Sequence, residues 1–411
     1  MGSRQLWGFV SVVLTQFVAM TMLVMGASAA GTTTVIYSFS GGADGEYLDT
    51  DLVVDTAGNL YGTTVQGGSG SGTVFQLAPS ASGWTHTVLY AFTGGADGAE
   101  PYKGVTLDPQ GNLYGTTVAG GSGPCEGGCG VVFKLTNSGG VWTESVIHTF
   151  DGSDGSGPGS GLTFDKAGNL YGMTPTGGTY GLGVIYQLRP STTGNWTFRV
   201  IHTFTGGVDG SSASAGRLTL DHAGNLYGVT TLGGANAKGV AFKLLRSETG
   251  GWILKPLYAF KDRPDGALPY GGLIFDKSGN LYGTTYYAGV NDVGTVYKLT
   301  HRDDSWTESV LYSFKGAPDG SSPISTLVRD AAGNLYGTTS DGGRKAGYGI
   351  IFKLSPGSNG AWTESVAYRF PGSPGASLAY NGMVADSAGN FYGATVHGGP
   401  GDDGTIYKFT P

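Results

Sequence analysis

Apolar and polar positions alternate in short runs along this chain, and the runs return in the same order. In one stretch Gly272-Leu-Ile-Phe275 leads into Asp276-Lys-Ser-Gly-Asn280 and then Leu281-Tyr-Gly-Thr-Thr285. An apolar run, a polar break and a second run of β-formers predict strand, tight turn, strand. A third run follows at Gly294-Thr-Val-Tyr-Lys-Leu299, with counterparts at Phe75, Phe133, Tyr186, Phe242, Phe352 and Tyr407. A fourth starts at Trp306 and ends Leu311-Tyr-Ser-Phe314, matched by runs from Trp84, Trp142, Trp196, Trp252 and Trp362. Each unit therefore holds four strands.

The motif Gly-Asn-Leu/Phe-Tyr-Gly places its Asn at 59, 112, 169, 225, 280, 334 and 390, at intervals of 53 to 57 residues, which makes seven copies. An Asp opens each turn, at Asp55, Asp108, Asp165, Asp221, Asp276, Asp330 and Asp386. A short carboxylate there accepts hydrogen bonds from backbone N–H groups two or three residues on, so these residues read as turn formers. The strand Val35 to Phe39 is of the fourth type, and the chain finishes on the third strand of the seventh unit, Thr405 to Phe409. The first strand is then the piece that the last unit lacks. The count predicts an all-β fold, a seven-bladed β-propeller with four antiparallel strands per blade, closed by the N-terminal strand completing the last blade. A parallel β-helix has shorter coils, and a β-sandwich has no need of seven equal units. The Trp that starts each fourth strand is expected between adjacent blades.

Residues 1–30 stand apart from the propeller, 31–411. Arg4 precedes an uncharged apolar run from Leu6 to Met25 and the small residues Gly26 to Ala30, the pattern of a secretory signal peptide. An uncleaved membrane anchor is the alternative. No second apolar segment follows, so no membrane span is expected in the mature chain, which reads as secreted, extracellular or periplasmic. In an oxidising compartment Cys125 and Cys129 are expected to form a local disulfide. The 77 glycines show no collagen period and belong to turns. A net charge of −7 without a Lys/Arg cluster argues against nucleic acid as partner.

Two longer loops per blade emerge on one face, joining the fourth strand to the next first strand and the second strand to the third. Long loops on a rigid scaffold make that face the candidate binding surface. Its Asp-Gly pairs lack a full calcium-loop pattern; they read as turns, with Asp151 and Asp154 the best local candidates for Ca²⁺ and no other cofactor expected. Residues that break the internal repeat carry more information: Tyr102, Lys103, Tyr270, Tyr286, Tyr287, Arg344, Tyr380 and His397. Aromatic rings around a Gly-rich funnel suit stacking on sugar faces, with Arg or Lys for an acidic group. His148 and His202 stand where sister strands have Tyr and read as structural substitutes. Catalytic motifs are missing, and only His397 is placed for an acid–base role, so no catalytic residue is assigned. The expected function is a binding or interaction scaffold for polysaccharide or protein; a lyase or hydrolase working in the central funnel is the alternative.

Gly-Asn-Leu-Tyr-Gly-Thr-Thr, Gly-x-Val-Phe-Lys-Leu and Leu-Tyr-x-Phe-x-Gly-Gly-x-Asp-Gly, repeated from about Val35 onward, closely resemble the GloVer-type family of choice-of-anchor tandem repeat proteins. The resemblance implies a secreted or surface-attached bacterial propeller with no assigned activity. Some members carry a C-terminal anchoring domain, which this sequence lacks, so release is expected in place of attachment. The strand-turn-strand also looks like that of NHL-like propellers and streptogramin-lyase-like enzymes, but the lyase's catalytic histidines have no counterparts here, and fold analogy alone does not transfer activity.

Overall fold

A computed structural model describes residues 31–411 other than 214–215, 248–249, 304 and 344–346, so the segment read as signal peptide or anchor lies outside the described residues. The strands form seven separate sheets, each following the order first, second, third, fourth. These are the seven blades, numbered here by their Gly-Asn motifs from Asn59 (blade 1) to Asn390 (blade 7). Blade 1, for example, consists of Val53–Val54, Leu60–Thr64, Thr73–Ser80 and Gly83–Ala91. Blade 7 is completed from the other end of the chain: Thr32–Ser38 runs antiparallel to Thr405–Thr410, with Val35 opposite Tyr407 and Ser38 opposite Thr405. The ring closes as the strand count predicts, and no open sheet edge interrupts it.

Local chemistry explains why the units repeat. In the blade 1 turn, Asp55 Oδ1 accepts from the backbone N–H groups of Ala57 and Asn59 at 2.9 Å each, while Oδ2 accepts from Asn59 Nδ2 at 2.8 Å and the Tyr61 hydroxyl at 3.1 Å. Both oxygens of the turn Asp are thus used within the Asp-x-x-Gly-Asn-x-Tyr pattern. Burial of Asp165 works to raise its pKa, but the Asn169 side chain, the Asn169 backbone N–H and the Tyr171 hydroxyl together lower it. Gly62, in Leu-Tyr-Gly, leaves room for the next strand: a Cβ there would lie 2.7 Å from the Phe75 ring.

Blades meet through aromatic contacts. Each Trp opening a fourth strand sits edge-on to the motif Tyr of the preceding blade, as in Trp142 with Tyr61, Trp196 with Tyr114 and Trp252 with Tyr171, at ring separations of 5.7–6.5 Å. The closing strand of blade 7 has no such Trp. Phe391 and Phe409, which replace the Leu found at those positions in the other six blades, stack on one another and pack against Tyr336 of blade 6 instead. A backbone bond also recurs at every seam. The residue eight before each turn Asp donates its N–H to the loop between second and third strands of the preceding blade: Tyr47 to Asp403, Glu100 to Ser71, Gly157 to Cys129, Leu268 to Lys238, Ser322 to Val293 and Leu378 to Tyr348, with Ser212 to Leu182 one residue earlier. Most of these donors are non-Gly residues with positive φ, a conformation that the seam bond helps to offset. Cys125 and Cys129 are joined by a disulfide in the same loop of blade 2.

One element differs from expectation. The first strand is short, only two residues in blades 1, 3, 4 and 7, and in blade 2 it is long but bulged between Tyr102 and Val105. The reason is the chain just before it. Glycines and polar residues there leave the ladder and turn toward the axis, which is the way a bulge redirects side chains.

Candidate functional site

Those departures build a cavity of about 560 Å³ where the blades converge on the long-loop face. In blade 2 the bulge puts Lys103 and Gly104 at φ 56° and 71°, and a Cβ on Gly104 would collide with the Asp51 carbonyl. Glycine is therefore needed where blades 1 and 2 touch, and the same bend aims Lys103 across the axis. Its Nζ lies 2.6 Å from Asp49 Oδ1 of blade 1 and donates to Asn381 Oδ1 of blade 7 at 3.0 Å. Burial opposes the Lys103 charge, but Asp49 and Asp51 more than offset it and raise the pKa.

Around this ammonium the lining is phenolic and acidic. Tyr47, Tyr102, Tyr270, Tyr286 and Tyr380 face the cavity together with Asp49, Asp51 and Asp341. Tyr270 and Tyr286 stand 6.0 Å apart by ring centre and remain 39% and 38% exposed. Asp51 Oδ1 accepts from the Gly382 N–H at 3.1 Å, and Asp341 Oδ2 from the Ser340 hydroxyl at 3.0 Å. Burial and then the Asp49 charge push the Tyr102 hydroxyl pKa up; burial and then Asp341 do the same for Tyr380. These two phenols therefore stay neutral.

Of the eight pattern-breaking residues, the structure brings five together here: Tyr102, Lys103, Tyr270, Tyr286 and Tyr380. Tyr287 is exposed outside the lining. His397 also lies outside it, with its side chain 41% exposed and Nδ1 3.4 Å from Asp402. Arg344 lies outside the described residues. Tyr47, Asp49, Asp51, Asp341 and Asn381 were not singled out from the sequence. A usable signal exists for several of them. Counting back from each turn Asp, the sixth residue is Asp49, Tyr102, Gly159, Tyr270, Ile324 or Tyr380 in the six blades where it is described, and five of these six line the cavity.

On the same face the Asp-Gly carboxylates act as turn caps. Asp97 accepts from the Tyr90 hydroxyl at 3.0 Å and the Thr93 hydroxyl at 2.6 Å. His148 takes the tyrosine's place and meets Asp154 at 2.9 Å, and His202 meets Asp209 at 3.1 Å. Asp151 accepts from the Ser153 N–H and hydroxyl, so both calcium candidates are engaged inside their own turn. Among the described residues no group of three or more His, Cys, Asp or Glu is arranged to hold a metal ion.

Fold and cavity together define a tandem-repeat seven-bladed β-propeller with an axial, tyrosine-lined pocket. A family model described as the Gloeobacter/Verrucomicrobia repeat matches residues 22–163, 122–345 and 251–411. The chain belongs to that repeat family. No curated protein matches it in sequence. Among solved structures it is similar to a protein from Lactobacillus plantarum at 14% identity, over 85% of this chain and 90% of that one, with a TM-score of 0.55. A putative 6-phosphogluconolactonase from Bacteroides uniformis aligns at 15% identity over 77% and 83%, with a TM-score of 0.50. PorZ of Porphyromonas gingivalis, described as an essential bacterial surface component of the type-IX secretion system, aligns at 14% identity over 91% of this chain and 48% of that one, TM-score 0.52. At such identities the likeness establishes the fold alone. Among the described residues no helix is long and apolar enough to cross a membrane.

Proposed function

We propose that this protein is a secreted binding propeller that holds a saccharide in its axial cavity. The observation that carries the reading is convergence: residues that break the internal repeat in blades 2, 5 and 7 line one pocket, although nothing in the fold requires aromatic rings there. The pocket's size falls within the range of small-molecule sites, and planar phenols with hydroxyl, amide and carboxylate neighbours suit the mixed apolar and polar faces of a sugar ring. A lyase or hydrolase in the funnel would have relied on His397, which does not line it.

A glycan array with the protein, followed by calorimetry on any hit, tests the proposal. Tyr270→Ala and Tyr286→Ala are each expected to weaken binding by about tenfold, roughly 1–2 kcal/mol for losing one stacking ring at a site centre. Their thermal unfolding should stay near that of the parent, because both rings are over a third exposed. A silent array, or hits that both alanine variants bind as well as the parent, would sink the saccharide reading.

A further inference from the structure

We infer that the axial cavity selects a ligand carrying positive charge, an amino sugar with free amines in preference to a neutral or acidic one. This rests on the saccharide reading above and deepens it. From the sequence, Lys103 was a candidate to receive an acidic group. In the structure its ammonium is already held by Asp49 of blade 1 and Asn381 of blade 7, the two blades that precede its own around the ring. Drawing Lys103 away toward an anionic ligand would leave Asp49, only 9% exposed, buried beside no cation. An uncompensated buried carboxylate is expensive, so the pair resists being opened.

Formal charge in the lining then points one way. Among the described residues three carboxylates, Asp49, Asp51 and Asp341, face the cavity against the single ammonium of Lys103. Among the described residues the hydrogen-bond partners of Asp51 and Asp341 are a backbone N–H and a serine hydroxyl, neither of which carries charge. Five tyrosine rings complete the wall, and the faces of neutral phenols attract cations by the same quadrupole that repels anions. Both carboxylates and rings therefore reward an ammonium and penalise a carboxylate, sulfate or phosphate. A cavity with low-dielectric walls strengthens that preference over what the same charges would show in open water.

The test compares the glucosamine tetramer, its N-acetylated form and the galacturonate tetramer by calorimetry at low and high salt, with spermine as a cationic probe that is not a sugar. The glucosamine tetramer should bind at least about tenfold more tightly than the N-acetylated one, the preference should shrink at high salt, and the galacturonate should bind weakest. In the Asp51→Asn/Asp341→Asn double variant the free-amine and N-acetylated tetramers should bind nearly equally, while affinity for the N-acetylated tetramer holds. Retained affinity for that tetramer also shows that the variant is folded. Equal or weaker binding of the free amine, or a preference that survives the double substitution, overturns the charge inference and leaves the saccharide reading standing. Spermine binding that depends on both aspartates, with no oligosaccharide bound, supports the charge inference and removes the saccharide reading. No binding of either amine probe overturns the inference.

Discussion

Replacing Trp252 by alanine is expected to destabilise the protein by about 3–5 kcal/mol, the cost of emptying a large aromatic site. Trp252 belongs to a cluster with Tyr171, Met173, Ile185 and Leu244, so it spans the seam between blades 3 and 4. Its ring meets Tyr171 edge-on at 5.9 Å on one side, and the Arg246 guanidinium lies 4.8 Å from its centre on the other. Its indole Nε1 is buried without a hydrogen-bond partner. Trp252→Phe should therefore lose much less than Trp252→Ala, since no polar bond goes with the ring. Urea unfolding of both variants measures the difference, and an alanine variant with an unchanged midpoint would show that this seam does not depend on the ring.

Stability should also rise as pH falls from about 8.5 to about 6.5. On the outer seams Glu144, Glu308 and Glu364 each lie against a turn-capping carboxylate of the preceding blade, namely Asp97, Asp265 and Asp319. Burial first, and then those carboxylates, push Glu144 up to about 7, Glu308 to about 8 and Glu364 to about 7. One carboxylate oxygen of each glutamate is buried without a partner. The sign follows from linkage: folded values above the ordinary 4.5 mean that the native state favours the protonated form. That contribution is complete below about 4.5 and is lost as pH climbs through 7 to 8. Lowered histidines bound the effect from the acid side. His86, stacked 4.6 Å from Tyr37 at the closing seam, and His202 are both lowered, chiefly by burial, so they favour the neutral form and lose stability below about 6.5. Calorimetric Tm across this window, compared with a Glu144→Gln/Glu308→Gln/Glu364→Gln triple variant, decides the matter. A Tm that is flat toward pH 6.5 in the parent, or a rise that persists in the triple variant, would contradict it.

The architecture was legible because it repeats. Seven copies at near-equal spacings, one motif Asp per turn and one orphan strand at the start leave few other ways to pair the chain, and the register of Thr32–Ser38 on Thr405–Thr410 agrees with that count. The site was only half legible, for a physical reason. Tyr270 and Tyr380 announce themselves as breaks in the pattern, whereas Lys103 finds its partners 54 residues before and 278 after it. No local pattern encodes such a meeting; it exists only once the ring has closed. Asp49 and Asp51 look like ordinary loop acids until the segment ahead of blade 1's two-residue first strand brings them to the cavity. The outer glutamates give no local signal either, because their opposing carboxylates belong to the neighbouring blade.

The composite blade 7 carries one more implication. In blade 2, Ser138 and Val141 face each other across Gly139 and Gly140, a tight hairpin that links third strand to fourth. In blade 7 Thr410 and Thr32 face each other at the positions that Thr136 and Thr143 hold in blade 2, further from the hairpin's tip, with no peptide between them. A linker as long as residues 137–142 of blade 2, joining Thr410 directly to Thr32, should make blade 7 a copy of blade 2, so that a circular permutant could be opened at any of the Asp-x-x-Gly-Asn turns instead. Such a permutant should keep the parent's circular dichroism and ligand affinity; loss of both would mean that the order in which the blades are made matters as much as their final contacts.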